Sequence, residues 1–238
     1  MPGFRYAIEQ GVDAIELDVV VTKDDVIVVS HDARMNRKFC RGPAGRRVIR
    51  ELTFDELREW DCGAVANRDF PKQRALPGTR VPALSEVLAL APSGRFEFHI
   101  EAKQSAGTPA PAAFAHLVLE QIRKYAVASR TVLLSFDYRI LHAMKRLEPS
   151  IRLCALSEEG GLDYVSIAKE AGASIVSPHY KTVTQRKVGG AHAAGLQVVA
   201  WTANTVEEWG RLIEADVDAI VTDDPSGLFA YMKAMGLR

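Results

Sequence analysis

Short β-branched runs and amphipathic stretches take turns along most of the chain. Between residues 14 and 22, Ile15, Leu17, Val19 and Val21 alternate with Glu16, Asp18, Val20 and Thr22, which is the period of a strand. A second run over 26–31 is equally rich in β-branched residues, and Lys23-Asp24-Asp25 separates the two. The pattern predicts a hairpin turning at Asp24-Asp25. That turn pairs residue 18 with residue 31 and gathers Glu16, Asp18 and His31 on one patch, because opposed residues have Cβ atoms about 5 Å apart. Six more strands are expected at 96–103, 131–136, 151–156, 174–177, 197–202 and 219–222, with helices at 111–125, 138–147, 162–171, 184–194 and 206–215. Alternation of this kind gives parallel strands with helices outside. With the first hairpin strand the count is seven, one short of a closed α/β barrel. A doubly wound open sheet is the competing architecture, but no Gly-rich turn follows the first strand and there is no P-loop.

The chain opens on an amphipathic stretch, 2–10, that reads as a helix with Pro2 at its start and Gly11 at its end. Residues 33–94 form a long, Arg-rich excursion with short helical pieces at 53–60 and 85–90, and Thr53 with Glu56 makes a capping box. It is expected to fold over one mouth of the domain rather than build a second core.

Composition narrows this picture. A chain of 238 residues that is 47% hydrophobic suffices for one barrel domain, taken as 1–238. Thirty basic and thirty acidic side chains give no net charge, so neither nucleic acid nor an anionic membrane is expected as the main partner. Cys40, Cys62 and Cys154 follow no metal-binding or disulfide spacing and read as free thiols in a reducing compartment. No apolar run approaches the roughly 20 residues of a membrane span, so no stable membrane insertion is expected and a cytoplasmic location is assigned.

The candidate chemistry sits on the strands. Within 96–103, Phe96, Phe98, Ile100 and Ala102 alternate with Glu97, His99, Glu101 and Lys103. Four ionisable side chains on one strand face cannot be buried unpaired, so that face should line a polar barrel interior. Glu16, Asp18 and Glu101 would make an all-oxygen site suited to Mg²⁺ or Ca²⁺ rather than zinc. Lys103, at the outer end, is placed to meet a phosphate oxygen. Phe136 and Trp201 lie at strand ends, where barrel enzymes carry their active residues, although a lone strand Trp is more often core. His116, His142 and His192 fall in helices and read as surface or structural, while His179 lies just past a strand end, within reach of the mouth.

Together these pieces resemble the glycerophosphodiester phosphodiesterase family. The resemblance rests on GVDAIELDVVVTKDDVIVVSHD with Arg37 following, then LTFDEL, RVPALSEVL, HIEAK, LLSF, VVAWTAN and AIVTDDP, in order over nearly the whole chain. It implies a metal-dependent TIM-like barrel that cleaves small glycerophosphodiesters to glycerol 3-phosphate and an alcohol. It also implies that Glu16, Asp18 and Glu101 are metal ligands and His31 is one of two catalytic histidines. Lys103 would contact the phosphate, and Trp201 would line the substrate. Phe136 and His99, on neighbouring strands, are expected to contact the substrate as well. Other readings are a metal- and phosphodiester-binding module without turnover, a lysophospholipase D-type phosphodiesterase, and a phosphosugar isomerase of another family.

Two family features are absent from the sequence: a first strand bearing His-Arg-Gly, with the second histidine and an arginine, and a following Glu-Asn pair. His99 also stands where the family usually has Asn. The sequence is therefore expected to follow an internal methionine of a longer enzyme and to be weakly active or inactive as it stands. The alternative is a short protein with an open barrel.

Overall fold

The computed structural model describes residues 1–67, 73–105, 107–158 and 160–237. Its strands are β1 (Ala14–Val21), β2 (Ile27–Val29), β3 (Glu97–Ala102), β4 (Thr131–Ser135), β5 (Arg152–Ser157), β6 (Ile175–Pro178), β7 (Gln197–Ala200) and β8 (Ala219–Ile220). They form one sheet in the order β2-β1-β3-β4-β5-β6-β7-β8, parallel throughout except for β1 with β2. β2 is an antiparallel hairpin partner at the edge, and the parallel strands β1 and β3 to β8 follow one another in chain order with no switch point, which excludes the doubly wound alternative. The sheet is also curled. Phe136, just past β4, and Trp201, just past β7, bring their ring centroids to 5.7 Å, whereas three strand spacings in a flat sheet would part them by about 14 Å. Among the described residues β8 is not paired with β1, so the structure is a partial barrel.

The helices are α1 (Pro2–Gln10), α2 (Phe54–Leu57), α3 (Leu84–Leu88), α4 (Pro111–Lys124), α5 (Tyr138–Leu147), α6 (Tyr164–Ala171), α7 (Gln185–Ala193), α8 (Val206–Glu214) and α9 (Pro225–Ala234). All but α9 fall where the hydrophobic pattern places them. Helix α9 is apolar nearly all round and so shows no period, but Asp224 caps it by accepting from Gly227 N–H at 3.0 Å. Outward-facing Leu133, Leu153, Val176 and Val198 pack against the helices, and inward-facing Val132, Leu134, Cys154, Ile175 and Val199 fill the barrel beneath Trp201. Each buried aliphatic side chain of this kind contributes about 1.5–3 kcal/mol.

Three expectations are corrected. The β1–β2 turn spans three residues, not two: Asp25 adopts a left-handed φ of 61° and Thr22 N–H donates to Val26 O at 2.9 Å. Asp tolerates that conformation better than most residues. The register therefore shifts by one, pairing Val19 with Val29, and Asp18 O accepts from Ser30 N–H at 3.0 Å, so His31 does not face Asp18.

The excursion does build a second core. Met35, Cys40, Ile49, Leu52, Leu57, Trp60 and Val81 bury themselves with Val20 and Val28 of the hairpin, because those two residues on the helix-free side of the hairpin need a cover. The predicted capping box forms, with Thr53 N–H donating to Glu56 at 2.8 Å.

Finally, Cys40 and Cys62 are not free thiols but a disulfide within this excursion. Reciprocal backbone bonds between Arg41 and Asp61, 2.8 and 2.7 Å, bring the flanking segments together, and a separation of 22 residues carries no hint of that contact. Cys154 remains free and buried. The cysteines thus no longer argue for a reducing compartment. No helix of the described residues is long and apolar enough to cross a membrane.

Candidate active site

Strands β1 and β3 run side by side in a register that places Glu16 beside His99 and Asp18 beside Glu101. Because alternate residues share a face, the inward face of this pair carries every acidic group the sequence singles out. Glu16, Asp18 and Glu101 each offer an oxygen, and the three oxygens lie within 4.8 Å of one another. Lys103 closes the group, its Nζ 3.0 Å from Glu101 Oε1 and 3.2 Å from Asp18 Oδ1.

One ammonium does not balance three carboxylates. Burial first, and then the like charge of Asp18, push Glu101 up from 4.5 to about 7 against the opposing pull of Lys103. Glu16 is raised well above the usual carboxylate range by burial, then by Asp18, Glu101 and Asp223. Burial works against the charge on Lys103, yet Asp18 and Glu101 prevail and raise its pKa. An all-oxygen donor set short of positive charge fits a hard divalent cation, and the residues present would hold one.

His31 lies on the rim. It is largely exposed, and its Nδ1 stands 3.0 Å from Asp32 Oδ1. A cleft of about 550 Å³ joins His31 and Asp32 to Lys103. The structure thus brings His31 and Lys103 to one opening, although His31 does not enter the acidic patch. Across the mouth, Trp201 donates its indole N–H to Ser177 O at 2.8 Å and meets His179 edge-on at 5.1 Å, with Phe136 on its other side.

His99 goes elsewhere. Its Nε2 approaches Glu97 Oε2 at 3.3 Å, Glu97 in turn pairs with Arg152 at 2.7 Å, and burial lowers the His99 pKa. These three line a second cavity of about 600 Å³ that Lys103 and His31 do not share. The strand face does line a polar interior, with its ionisable groups paired. His142 bonds Glu170 O at 2.8 Å, His192 meets Asp218 at 3.0 Å and His116 meets Glu120 at 3.4 Å, so all three find surface partners.

Sequence reasoning passed over two further groups. Asp32, adjacent to His31, orients its ring. Asp223, three residues past β8, is locked by Asn204: Asn204 Nδ2 donates to its carboxylate at 2.8 Å and its own N–H donates back to Asn204 Oδ1 at 2.8 Å. Its field reaches Glu16 across the mouth. The signal was present, an Asn and an Asp each following a short strand, but neither spacing reveals the contact.

Residues 1–226 match the Glycerophosphoryl diester phosphodiesterase family. A glycerophosphodiester phosphodiesterase of Caldanaerobacter subterraneus subsp. tengcongensis is 29% identical over 98% of this chain and 91% of its own length. A crystal structure of a Silicibacter pomeroyi protein named for the same family superimposes with a TM-score of 0.93 at 32% identity, covering 100% of this chain and 88% of that one. An Oleispira antarctica phosphodiesterase, solved with sn-glycerol-3-phosphate, shares the fold with a TM-score of 0.82 at 20% identity over 97% of this chain and 89% of that one.

Proposed function

Because the chain belongs to the glycerophosphoryl diester phosphodiesterase family, we propose that it hydrolyses glycerophosphodiesters to glycerol 3-phosphate and an alcohol with the help of a divalent cation. The observation that carries this reading is the carboxylate triad with Lys103 at 3.0 and 3.2 Å. Glu16, Asp18 and Glu101 would hold Mg²⁺ or Ca²⁺, which supplies charge stabilisation to the phosphoryl oxygens when bound. Lys103 meets a phosphate oxygen as a point charge.

Hydrolysis adds the oxygen of water to phosphorus and breaks the bond to the alcohol oxygen, which leaves with a proton. His31 would move that proton. Its Nδ1 is engaged by Asp32, which leaves Nε2 for the substrate side. Trp201 and Phe136 present apolar surface to the substrate's carbon skeleton.

The test is release of glycerol 3-phosphate from glycerophosphocholine with added Mg²⁺ or Ca²⁺, and again after chelation. Release that needs the cation is the expected result; turnover indifferent to chelator would remove the triad from the reaction.

A further inference from the structure

The excursion carries many arginines, and six of the described ones are built into the fold, Arg58 through Glu86 and Arg80 through Glu59 O among them. Arg37 donates to Pro43 O at 2.6 Å and lies over Trp60. Arg41 donates to Arg37 O at 2.7 Å, Arg46 pairs with Glu56 at 3.4 Å, and Arg50 pairs with Asp25 at 2.7 Å while donating to Gly107 O. Arg34 and Arg47 differ. Among the described residues neither guanidinium has a hydrogen-bond or ion-pair partner, and both line the cleft of about 550 Å³ that holds His31 and Lys103.

The support beneath them is firm. Arg34 bridges Val48 in antiparallel fashion, Met35 N–H donates to Arg47 O at 2.7 Å, and Ile49 N–H donates to Ala33 O at 2.9 Å. Met35 and Ile49 are anchored in the excursion's core. The neighbouring charges are already engaged: Asp32 by His31 at 3.0 Å and Asn36 at 3.4 Å, and Lys103 by Asp18 and Glu101. Two guanidinium charges are left without counter-charge beside the reacting position. Guanidinium groups bind phosphate through paired N–H donors, and two of them match a phosphate better than a single carboxylate.

We propose that Arg34 and Arg47 form a second phosphate subsite in the His31–Lys103 cleft, so that the preferred substrate is a glycerophosphodiester whose alcohol part carries a further phosphate. This rests on the phosphodiesterase reading and specifies the alcohol. The subsite would hold that phosphate while the diester lies against Lys103.

Glycerophosphoinositol 4-phosphate and glycerophosphoinositol differ only in the added phosphate and make a matched pair of probes. The wild-type chain, with Mg²⁺, is expected to show a KM about tenfold lower for the former, the scale of one charge-assisted interaction. The doubly substituted Arg34→Gln, Arg47→Gln protein is expected to bring that ratio near one, with kcat and KM for glycerophosphoinositol little changed. Arg46→Gln, which removes a structural arginine, should leave the ratio intact. Equal KM values in the wild type, or equal losses on both probes in the double variant, overturn the subsite. Titration calorimetry of the same two compounds reads the same ratio without turnover. If neither probe is hydrolysed, the phosphodiesterase reading fails, and the calorimetric ratio still decides the arginine pair.

Discussion

Lys103 reaches back over Glu101, two residues earlier in the chain, and places its Nζ 3.0 Å from that carboxylate. It is the resident counter-charge of an acidic patch that would otherwise repel itself. Lys103→Met is therefore expected to destabilise the metal-free protein by about 1–3 kcal/mol, the cost of leaving a buried charged partner unmet. The same change should enlarge the rise in melting temperature on adding Mg²⁺, because a cation then relieves more repulsion, while turnover falls through loss of the phosphate contact. Thermal melts with and without Mg²⁺ check this; a variant with wild-type stability and an unchanged response would show that Lys103 balances nothing.

The raised pKa of Glu101 sets a pH dependence for the metal-free protein. Its carboxyl ionises near 4.5 when unfolded and near 7 in the fold. Between those values the folded state holds a proton that the unfolded state has lost, so stability falls as pH rises through the window. A bound dication reverses the preference for the protonated form, so the stabilisation by Mg²⁺ should be small near pH 5 and grow above pH 7. Melting temperature followed against pH, with chelator and with Mg²⁺, measures both slopes. Glu101→Gln should flatten the metal-free slope; an undiminished slope in that variant would assign the effect to another group.

Much of this arrangement was legible in the chain, for a physical reason. Parallel strands feeding helices leave a strong periodic signal, and alternate residues on 96–103 share a face, so the pattern alone groups Glu101 and Lys103 with Glu16 and Asp18. What periodicity does not encode is contact between segments. The Asp25 turn adds one residue and moves His31 off the Asp18 position, a difference invisible to strand propensity. The Cys40–Cys62 bond and the Asn204–Asp223 lock depend on loops that meet only after folding. His99 shares its face with Glu101, yet it is drawn to Glu97 and Arg152 at the other end of the strand.

The disulfide makes a prediction of its own. Closing a loop of 22 residues stabilises a fold by about 3 kcal/mol in the chain-entropy account. Cys40→Ser with Cys62→Ser, or reduction of the wild type, should lower the melting temperature, and the excursion carrying Arg34 and Arg47 should loosen first. Thiol titration gives an independent count. The oxidised, folded protein should show no reactive thiol, since Cys154 is buried and its thiol pKa is pushed far up by burial. Unfolding should release one thiol, and reduction all three. Two reactive thiols in the native protein as isolated would contradict the bond.

His31 is exposed enough to be removed without structural cost, which makes it the sharpest test of the chemistry. Among the described residues its one hydrogen-bond partner is Asp32, at 3.0 Å on the Nδ1 side, so the fold does not lean on it. His31→Ala should keep the wild-type melting temperature and lose roughly 10²- to 10⁴-fold in kcat, the usual worth of a general acid or base. Asp32→Asn should cost less, because the ring stays in place and only its orientation and tautomer preference are disturbed. Free imidazole added to His31→Ala should restore part of the lost rate if a proton is what the side chain carries, and it should do nothing for Asp32→Asn. A His31→Ala protein with unchanged kcat would move the proton transfer to another group on the mouth, and His179, whose Nδ1 accepts from Lys181 N–H at 3.3 Å beside Trp201, is the next to substitute.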